Sequence, residues 1–576
     1  MKLPERLINA FLLHGGSLLG IYFRHDWLKK AHRSRTASER KLLRQLRRNA
    51  GTEYGKIHHF DSIRSVRDYQ DQVPLSVYED YEPYIQRMIT NGETNLITSS
   101  RIRFYASTSG TVGITKLIPH CAASYLPYFK WLCICSNDIV RSMKKRSLSS
   151  FNARGIQLTE ISSEPLPDSY GGKSSENRVS IGGVSSYAVG GIRLVMPIVT
   201  QLPGITINNP EIKDLQYIKA RYALQDPNLT FFCGVFASVL YDFMNYLQDN
   251  RELLIKDIEQ GTIDPSVDLG EKTRKILEGR LKADPIRASQ LREAFDGSEN
   301  LPLVNRIWKN MSFVFSIGTG DFEPFTRKMR SYCSEDVSFG YVLYSASEAF
   351  MGCAMDLEEP YYLLVNDDAF FEFLPVDEPC QRPLLMHELK PGALYEMIVT
   401  NISGLYRYQL KDVIRVIGFE GESPYVQFAY RANRVANLNG CHITGTHVDA
   451  VIAKLEEESG RNIVEYSTYI DYEVQNPRIE LFVEGEEDFS AEASRQLSDI
   501  AEKAFLKDVF YYENERLENH IAPCMVHVLK RGTYAAYRRK RVAEGSSLNQ
   551  LKSPRVLRAG EQVEFFRNAV VKPEQL

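Results

Sequence analysis

Several signatures are missing from this sequence, and each absence removes a class of protein. None of its nine cysteines forms a CxxC pair, which leaves no zinc-ribbon or thioredoxin-like motif. Cys133 and Cys135 are two apart, a spacing that turns them to different faces of a helix. The set reads as reduced, packed thiols of a cytoplasmic protein. No apolar run reaches the ~20 residues that span a bilayer. The nearest, Leu7–Phe23, is interrupted by His14, Gly15, Gly16 and Ser17, and it lacks the small-residue cleavage site of a signal peptide. It is expected to be an N-terminal helix packed on the main body. Charge of either sign is not in excess: the formal net charge is −3. That gives no footprint for nucleic acid and no general attraction to an acidic membrane, so neither is an expected partner. Internal repeats and low-complexity tracts are absent too.

What is present is an ordinary globular composition, 43% hydrophobic and 25% charged, over 576 residues. That length exceeds one ordinary core and implies two or more domains. Ser38–Ala50 carries Leu42, Leu43 and Leu46 in a helical stripe. Ile102 and Phe104 alternate with arginines as in a short strand. A Gly/Ser/Thr-rich turn, Ser107 to Gly113, leaves through extended Leu117-Ile118-Pro119. Further on, Leu229–Phe232 and Ser312–Ser316 read as buried strands, the second followed by the turn Gly318-Thr319-Gly320. Leu240, Phe243, Met244 and Leu247 mark a helix over Ala237–Leu247. Alternating strands and helices define an α/β fold class. Ile161–Gly191 is unpatterned, either a flexible loop or an irregular sheet beside a pocket.

The last part of the chain has its own order. Val448, Val451, Ile452 and Leu455 mark a helix, Val464–Val474 and Ile479–Val483 two strands, Leu497, Ile500 and Ala504 a helix, and Cys524–Leu529 a strand. This predicts a small α+β module after a polar linker in Arg431–Gly440, with domains at 1–432 and 433–576. The basic run Arg538–Arg541 reads as a solvated helix face.

Three constellations carry chemistry. The first is Ser107–Lys116, STSGTVGITK. Its hydroxyls (Ser107, Thr108, Ser109, Thr111) and glycines (Gly110, Gly113) suit a backbone that approaches phosphates closely. It is not a Walker A loop, because its lysine is followed by Leu-Ile-Pro and its flanks are strand-like. The alternative is a plain hairpin turn. The second is Tyr344-Ser345-Ala346-Ser347-Glu348, in which an aromatic ring can stack on a purine and a glutamate can hold Mg2+. The third is Gly404–Asp412, which ends on an aspartate able to accept two hydrogen bonds at once.

The spacing Ser-Gly-Thr-x-Gly-x-x-Lys resembles the phosphate loop of adenylate-forming ligases. Six runs narrow the resemblance: VPLSVYEDYEPYIQRM at Val73–Met88, STSGTVGITKLIP at Ser107–Pro119, GVFASVL at Gly234–Leu240, YSASE at Tyr344–Glu348, GLYRYQLKDVIRVIGF at Gly404–Phe419 and SSLNQLKSPRV at Ser546–Val556. In this order they identify the chain as a member, of bacterial type, of the auxin-inducible Gretchen Hagen family of acyl-acid amido synthetases.

The resemblance implies a large N-terminal adenylate-forming domain, a small mobile C-terminal domain, and ATP with Mg2+. Tyr344, Ser347, Tyr406, Asp412 and Arg431 join the loop residues at the nucleotide, Glu348 takes the metal, and Lys552 reaches the phosphates during adenylation. An acid would become an acyl-adenylate, and the small domain would then turn about its hinge while an amino acid or other amine attacks. Two departures stand out. Lys411 replaces the glycine before Asp412, and Gly440-Cys441-His442-Ile443-Thr444-Gly445 replaces a Gly-Glu-Lys-Leu-Thr-Glu hinge. The acid's pocket is expected from Tyr125–Ile139 and Ile161–Gly191. The rival readings are an acyl-CoA ligase, which shares the first step, and a non-catalytic nucleotide- or acid-binding relative.

Overall fold

In the computed structural model the described residues are 3–108, 116–159, 163–165, 179–190, 196–200, 202–207, 209–297, 300–319, 323–341, 343–376, 382–431, 436–438, 441–443, 445–509, 512–517, 519, 521–544, 553–557 and 559–572. The chain forms two compact units, Met1–Leu410 with Ile414–Phe428, and Lys411–Val413 with Ala429–Leu576. The architecture is the expected mixture of α/β layers with a smaller α+β unit.

The larger unit opens with two helices, α1 (Leu3–Ala31) and α2 (Ser34–Asn49). Two glycines of α1, Gly16 and Gly20, are contact points. A Cβ on Gly20 would lie 2.2 Å from the carbonyl oxygen of Cys133, so only glycine lets α1 settle on the Leu126–Lys145 helix. Among the described residues no helix is long and apolar enough to cross a membrane. Leu42 and Leu46 of α2 are fully buried, one helical turn apart.

Three sheets follow. In the first, β1 (Ile102–Thr108) pairs antiparallel with β2 (Lys116–Cys121) and parallel with β5 (Ser180–Gly182), which in turn pairs with β4 (Ser163–Pro165). The second is all parallel: β3 (Gly155–Gln157), β6 (Phe231–Phe236), β7 (Phe313–Ile317) and β8 (Ser338–Gly340). Its strands are apolar because helices cover it, as for most parallel sheets. The Ala237–Asp249 helix contributes Leu240, Phe243, Met244 and Leu247 to that core. β6 starts two residues later than its apolar run suggests. Asp226 accepts from the backbone N–H of Asn228 at 2.9 Å, holding a turn just ahead of Leu229.

The third sheet has seven strands in the order β12-β13-β14-β15-β11-β10-β9, with β9 Leu343–Ser345, β10 Phe350–Cys353, β11 Tyr362–Leu364, β12 Ala369–Pro375, β13 Leu394–Asn401, β14 Tyr408–Glu420 and β15 Ser423–Arg431. Of Ile161–Gly191, the described parts are the short strands β4 and β5 and a helix, Val184–Gly190. Apart from Val179 and Gly183, the remainder lies outside the described residues.

The smaller unit keeps the expected order of helix (Gly445–Ser459), β18 (Ile463–Asp471), β19 (Arg478–Gly485), helix (Ala493–Asp508) and β20 (Met525–Leu529), and adds helices Thr533–Ala543 and Glu561–Asn568. Alternation along the strands gives each sheet face its own core. Leu481, Val483, Val526 and Val528 pack with Val448, Leu455, Leu497 and Phe505. Phe482 and Leu529 face the other way, with Tyr534, Tyr537 and Phe566. Within and just beyond the stretch expected as a polar linker, β16 (Ala436–Leu438) and β17 (Cys441–Ile443) pair antiparallel. Three-residue strands are too short to show alternation in sequence.

Arg538 corrects the reading of its basic run. It is largely buried, and its Nη1 lies 2.5 Å from Oε1 of Glu465. Lys540 and Arg541 are more exposed and sit beside Glu544. Among the described residues Cys121, Cys133, Cys135, Cys233, Cys333, Cys353 and Cys524 form no disulfide. Burial pushes the Cys133 thiol up to about 11 and that of Cys233 up to about 12.

Candidate active site

The described flanks of the Ser107–Lys116 run are strands, as the sequence suggests. Ser107 and Thr108 end β1, and Thr108 pairs with Lys116, the first residue of β2. Ser109, Gly110, Thr111 and Gly113 lie outside the described residues.

From β2 the chain leads directly to the second constellation. The His120 Nε2–H donates to the Ser347 carbonyl at 2.8 Å, and Nδ1 lies 3.2 Å from the Ser124 hydroxyl. Around the ring stand Phe104 and Tyr187, with centroids 6.4 and 5.1 Å away. The Tyr128 and Ser345 hydroxyls are 2.8 Å apart. Asn401 donates through Nδ2 to the Glu348 carbonyl at 2.7 Å, while its Oδ1 accepts from the backbone N–H of Ser403 and of Leu405, each at 3.0 Å. Ser403 in turn accepts from the Cys121 N–H at 3.1 Å. The Tyr408 hydroxyl donates to Oε1 of Glu348 at 3.4 Å. The exit strand of the loop, the YSASE turn and the start of the third run therefore meet in one place. Sequence reasoning singled out neither His120 nor Asn401, whereas Tyr128 falls in the Tyr125–Ile139 stretch expected at the acid's pocket. The one available signal was a polar His120 immediately after the extended Leu117-Ile118-Pro119.

Desolvation pulls the His120 imidazole down to about 4, so the ring is neutral at ordinary pH. The unfolded chain titrates nearer ~6.5 and binds the proton first on acidification. His120 should therefore remove about 2 kcal/mol of stability between about pH 7 and about pH 5. Urea titrations at the two pH values check this against His120→Gln, which keeps an N–H for Ser347 and should show a correspondingly smaller loss.

The third run is built on left-handed backbone. Gly404 has φ +114°, and a Cβ there would lie 3.0 Å from the Ile97 carbonyl oxygen. Arg407 (φ +50°) and Lys411 (φ +65°) share the handedness without being glycine. Lys411 thus adopts a conformation that a glycine would take freely, at a cost of about 1 kcal/mol or more. Lys411→Gly should raise stability by about 0.5–1 kcal/mol, after the added freedom of the unfolded chain is subtracted. A denaturant midpoint shift measures it.

The residues expected at the nucleotide do not share one environment. Asp412 is buried on β14, four residues beyond Tyr408. Tyr344 is also buried, its ring 5.7 Å from Tyr362 and 6.2 Å from Phe428. Tyr406, expected at the nucleotide, is fully enclosed. Its ring stacks on Tyr54 at 5.1 Å and 13°, and its hydroxyl donates to the Ile97 carbonyl. It anchors the Gly404 turn, with no side-chain surface left to face a ligand. Arg431 ends β15. Lys552 lies outside the described residues, but the next three residues run along β18. The Arg538 guanidinium donates to the Ser553 hydroxyl at 2.8 Å, and the Thr468 N–H donates to the Arg555 carbonyl at 2.7 Å.

Among the described residues no three His, Cys, Asp or Glu side chains gather as a metal cage. A single carboxylate such as Glu348 suits Mg2+ when phosphate oxygens complete its shell.

A large unit of three sheets, in which β2 meets the Ser347–Glu348 segment, and a separate α+β unit make up a known ligase fold. An acyl acid amido synthetase, AtGH3.15, in complex with 2,4-DB, matches it with a TM-score of 0.80 at 19% identity, over 96% of this chain and 97% of that one. The chain belongs to the GH3 family. The family's N-terminal domain matches residues 24–337, its central domain 362–431 and its C-terminal domain 446–561. Its relatives include the jasmonoyl–L-amino acid synthetase JAR4 of Nicotiana attenuata, 24% identical over 90% of each chain. The indole-3-acetic acid-amido synthetase GH3.10 of Arabidopsis thaliana is also 24% identical, over 92% of this chain and 94% of that one.

Proposed function

We propose that this chain is an ATP-dependent acyl-acid amido synthetase, which activates a small carboxylic acid as its adenylate and transfers the acyl group to an amino acid or another amine. The observation that carries the reading is the meeting of β2, Ser347–Glu348 and the Asn401–Tyr408 segment through His120, Ser403, Asn401 and Tyr408.

In the first half-reaction the acid's carboxylate attacks the α-phosphorus of ATP and pyrophosphate leaves. Ser107–Gly113 donates N–H and O–H groups to the phosphate oxygens, Tyr344 and Ser347 border the nucleotide, Arg431 lies with them, and Asp412 accepts from the ribose hydroxyls. Glu348 would hold Mg2+, which supplies charge neutralisation at the phosphates. Lys552 offers a compact positive charge to the oxygens that gain charge as the bond forms. In the second half-reaction an amine attacks the acyl carbon of the mixed anhydride and AMP leaves. That step mainly requires orientation and exclusion of water. In this reading residues 1–432 bind ATP and acid, and residues 433–576 gate the two steps. A cytoplasmic setting fits described cysteines that form no disulfide.

The test is ATP–pyrophosphate exchange over a panel of carboxylic acids, followed by mass analysis of products formed with mixed amines. Acid-dependent exchange with amide products is expected. Thioester formation with coenzyme A would make the chain an acyl-CoA ligase, and no exchange with any acid would make it a binding protein.

A further inference from the structure

α1 carries a surface that neither the fold nor the proposed reaction uses. Its inner side buries Leu13, Trp27 and Ala31. Its outer side presents Leu7 (61% exposed), Phe11 (77%), Leu18 (70%) and Tyr22 (62%), flanked by exposed Ile8, Leu19 and Ile21. The stripe lies ahead of the matched residues 24–337, so the family resemblance does not account for it. It carries no charge. His14, which shares this side of the helix, is turned toward a neighbouring loop, its ring 5.0 Å from Phe151 and its Nε2 3.2 Å from the Ser150 hydroxyl.

Two properties of the stripe say what covers it. The first is its spacing. Leu7 and Tyr22, Ile8 and Ile21, and Phe11 and Leu18 are each equidistant from the midpoint between His14 and Gly15. An antiparallel copy of the helix therefore sets each member of a pair against the other, which is the self-complementarity of a two-fold interface. Gly15 sits at the crossing, and a Cβ there would find nothing within 4 Å, so a second backbone can approach closely. The second is chemistry and size. An uncharged stripe offers nothing to anionic headgroups, which interfacial helices attract with lysine and arginine. Seven large side chains at these exposures supply on the order of 700 Å² per copy, near the ~800 Å² per partner of a standard interface.

We propose that α1 is the seam of a two-fold homodimer, with the helices antiparallel, crossing at Gly15, and Phe11 of each copy packed against Leu18 of the other. Sedimentation equilibrium on the full chain across micromolar concentrations should give a dimer. Phe11→Lys should weaken it by roughly 100-fold or more, as for a central apolar anchor. Adding Leu18→Glu to Phe11→Lys should restore dimer, because the two-fold sets each new lysine against the partner's new glutamate. Both positions are exposed, and circular dichroism checks that the variants fold. A monomer at all concentrations, a dimer indifferent to Phe11→Lys, or no rescue by the paired change would each overturn the proposal. So would a monomer that floats with phosphatidylcholine–phosphatidylserine vesicles in an α1-dependent way. None of these readouts depends on enzymatic activity.

Discussion

Arg407→Ala is expected to lower the unfolding free energy of the larger unit by about 3–5 kcal/mol, the range for removing one partner of a buried ion pair. Arg407 and Glu372 are both almost fully buried, and the pairing is two-pronged: Nε to Oε2 at 3.1 Å and Nη2 to Oε1 at 3.0 Å. Nη1 donates to the carbonyls of Gln70 and Val73 at 2.7 and 2.6 Å, and Gln70 donates to Glu372 at 2.9 Å. Alanine would leave the buried carboxylate with Gln70 as its one remaining named donor and strip the guanidinium from two carbonyls. Arg407→Lys keeps the charge but loses the planar fork, and should fall between wild type and alanine. A paired change, Arg407→Met with Glu372→Leu, should recover much of the loss, since an apolar pair leaves no orphaned charge. Denaturant titration reads the series, and an alanine variant within about 1 kcal/mol of wild type would refute the assignment. Because Arg407 sits between Gly404 and Asp412, activity should fall together with stability.

Glu348→Gln is expected to separate the two. The variant keeps the backbone carbonyl that accepts from Asn401 and a side chain of the same size beside Tyr408. Stability should therefore change little. Acid-dependent ATP–pyrophosphate exchange should drop by roughly 100-fold, because an amide oxygen is a poor substitute for a carboxylate at a hard cation and at the phosphate charge it neutralises. Raising Mg2+ should recover part of the loss. Exchange near the wild-type rate would remove Glu348 from the site and leave it as a packed polar group.

The sequence announced elements whose pattern is local. The stripe from Leu240 to Leu247 and the apolar runs at β6 and β7 carry their own period, and the motif runs carry the family. What it did not announce is pairing at long range. His120 and Ser347 are 227 positions apart, and Arg407 and Glu372 belong to different strands or turns of one sheet. No local period marks such partners, because each of these polar residues is ordinary until its acceptor is known. Arg538 was misread for the same reason. A run of basic residues looks solvated until Glu465 is placed beneath its first member. Lys411 was visible as a departure, but its consequence was not: the strand adopts glycine's backbone without the glycine.

The order of strands in the seven-stranded sheet also sets a timetable. β9, β10 and β11 precede β12–β14 in the chain, yet β11 completes its pairing only with β15, through Tyr362 with Val426 and Leu363 with Tyr425. A ribosome making this protein releases one edge of that half-sheet, buried and apolar in the finished molecule, long before its neighbour exists. Non-local pairing of this kind folds slowly and leaves open strand edges in the interval. The nascent chain should therefore need a chaperone or low temperature between the synthesis of β11 and that of β15, and truncations ending inside that interval should aggregate rather than fold.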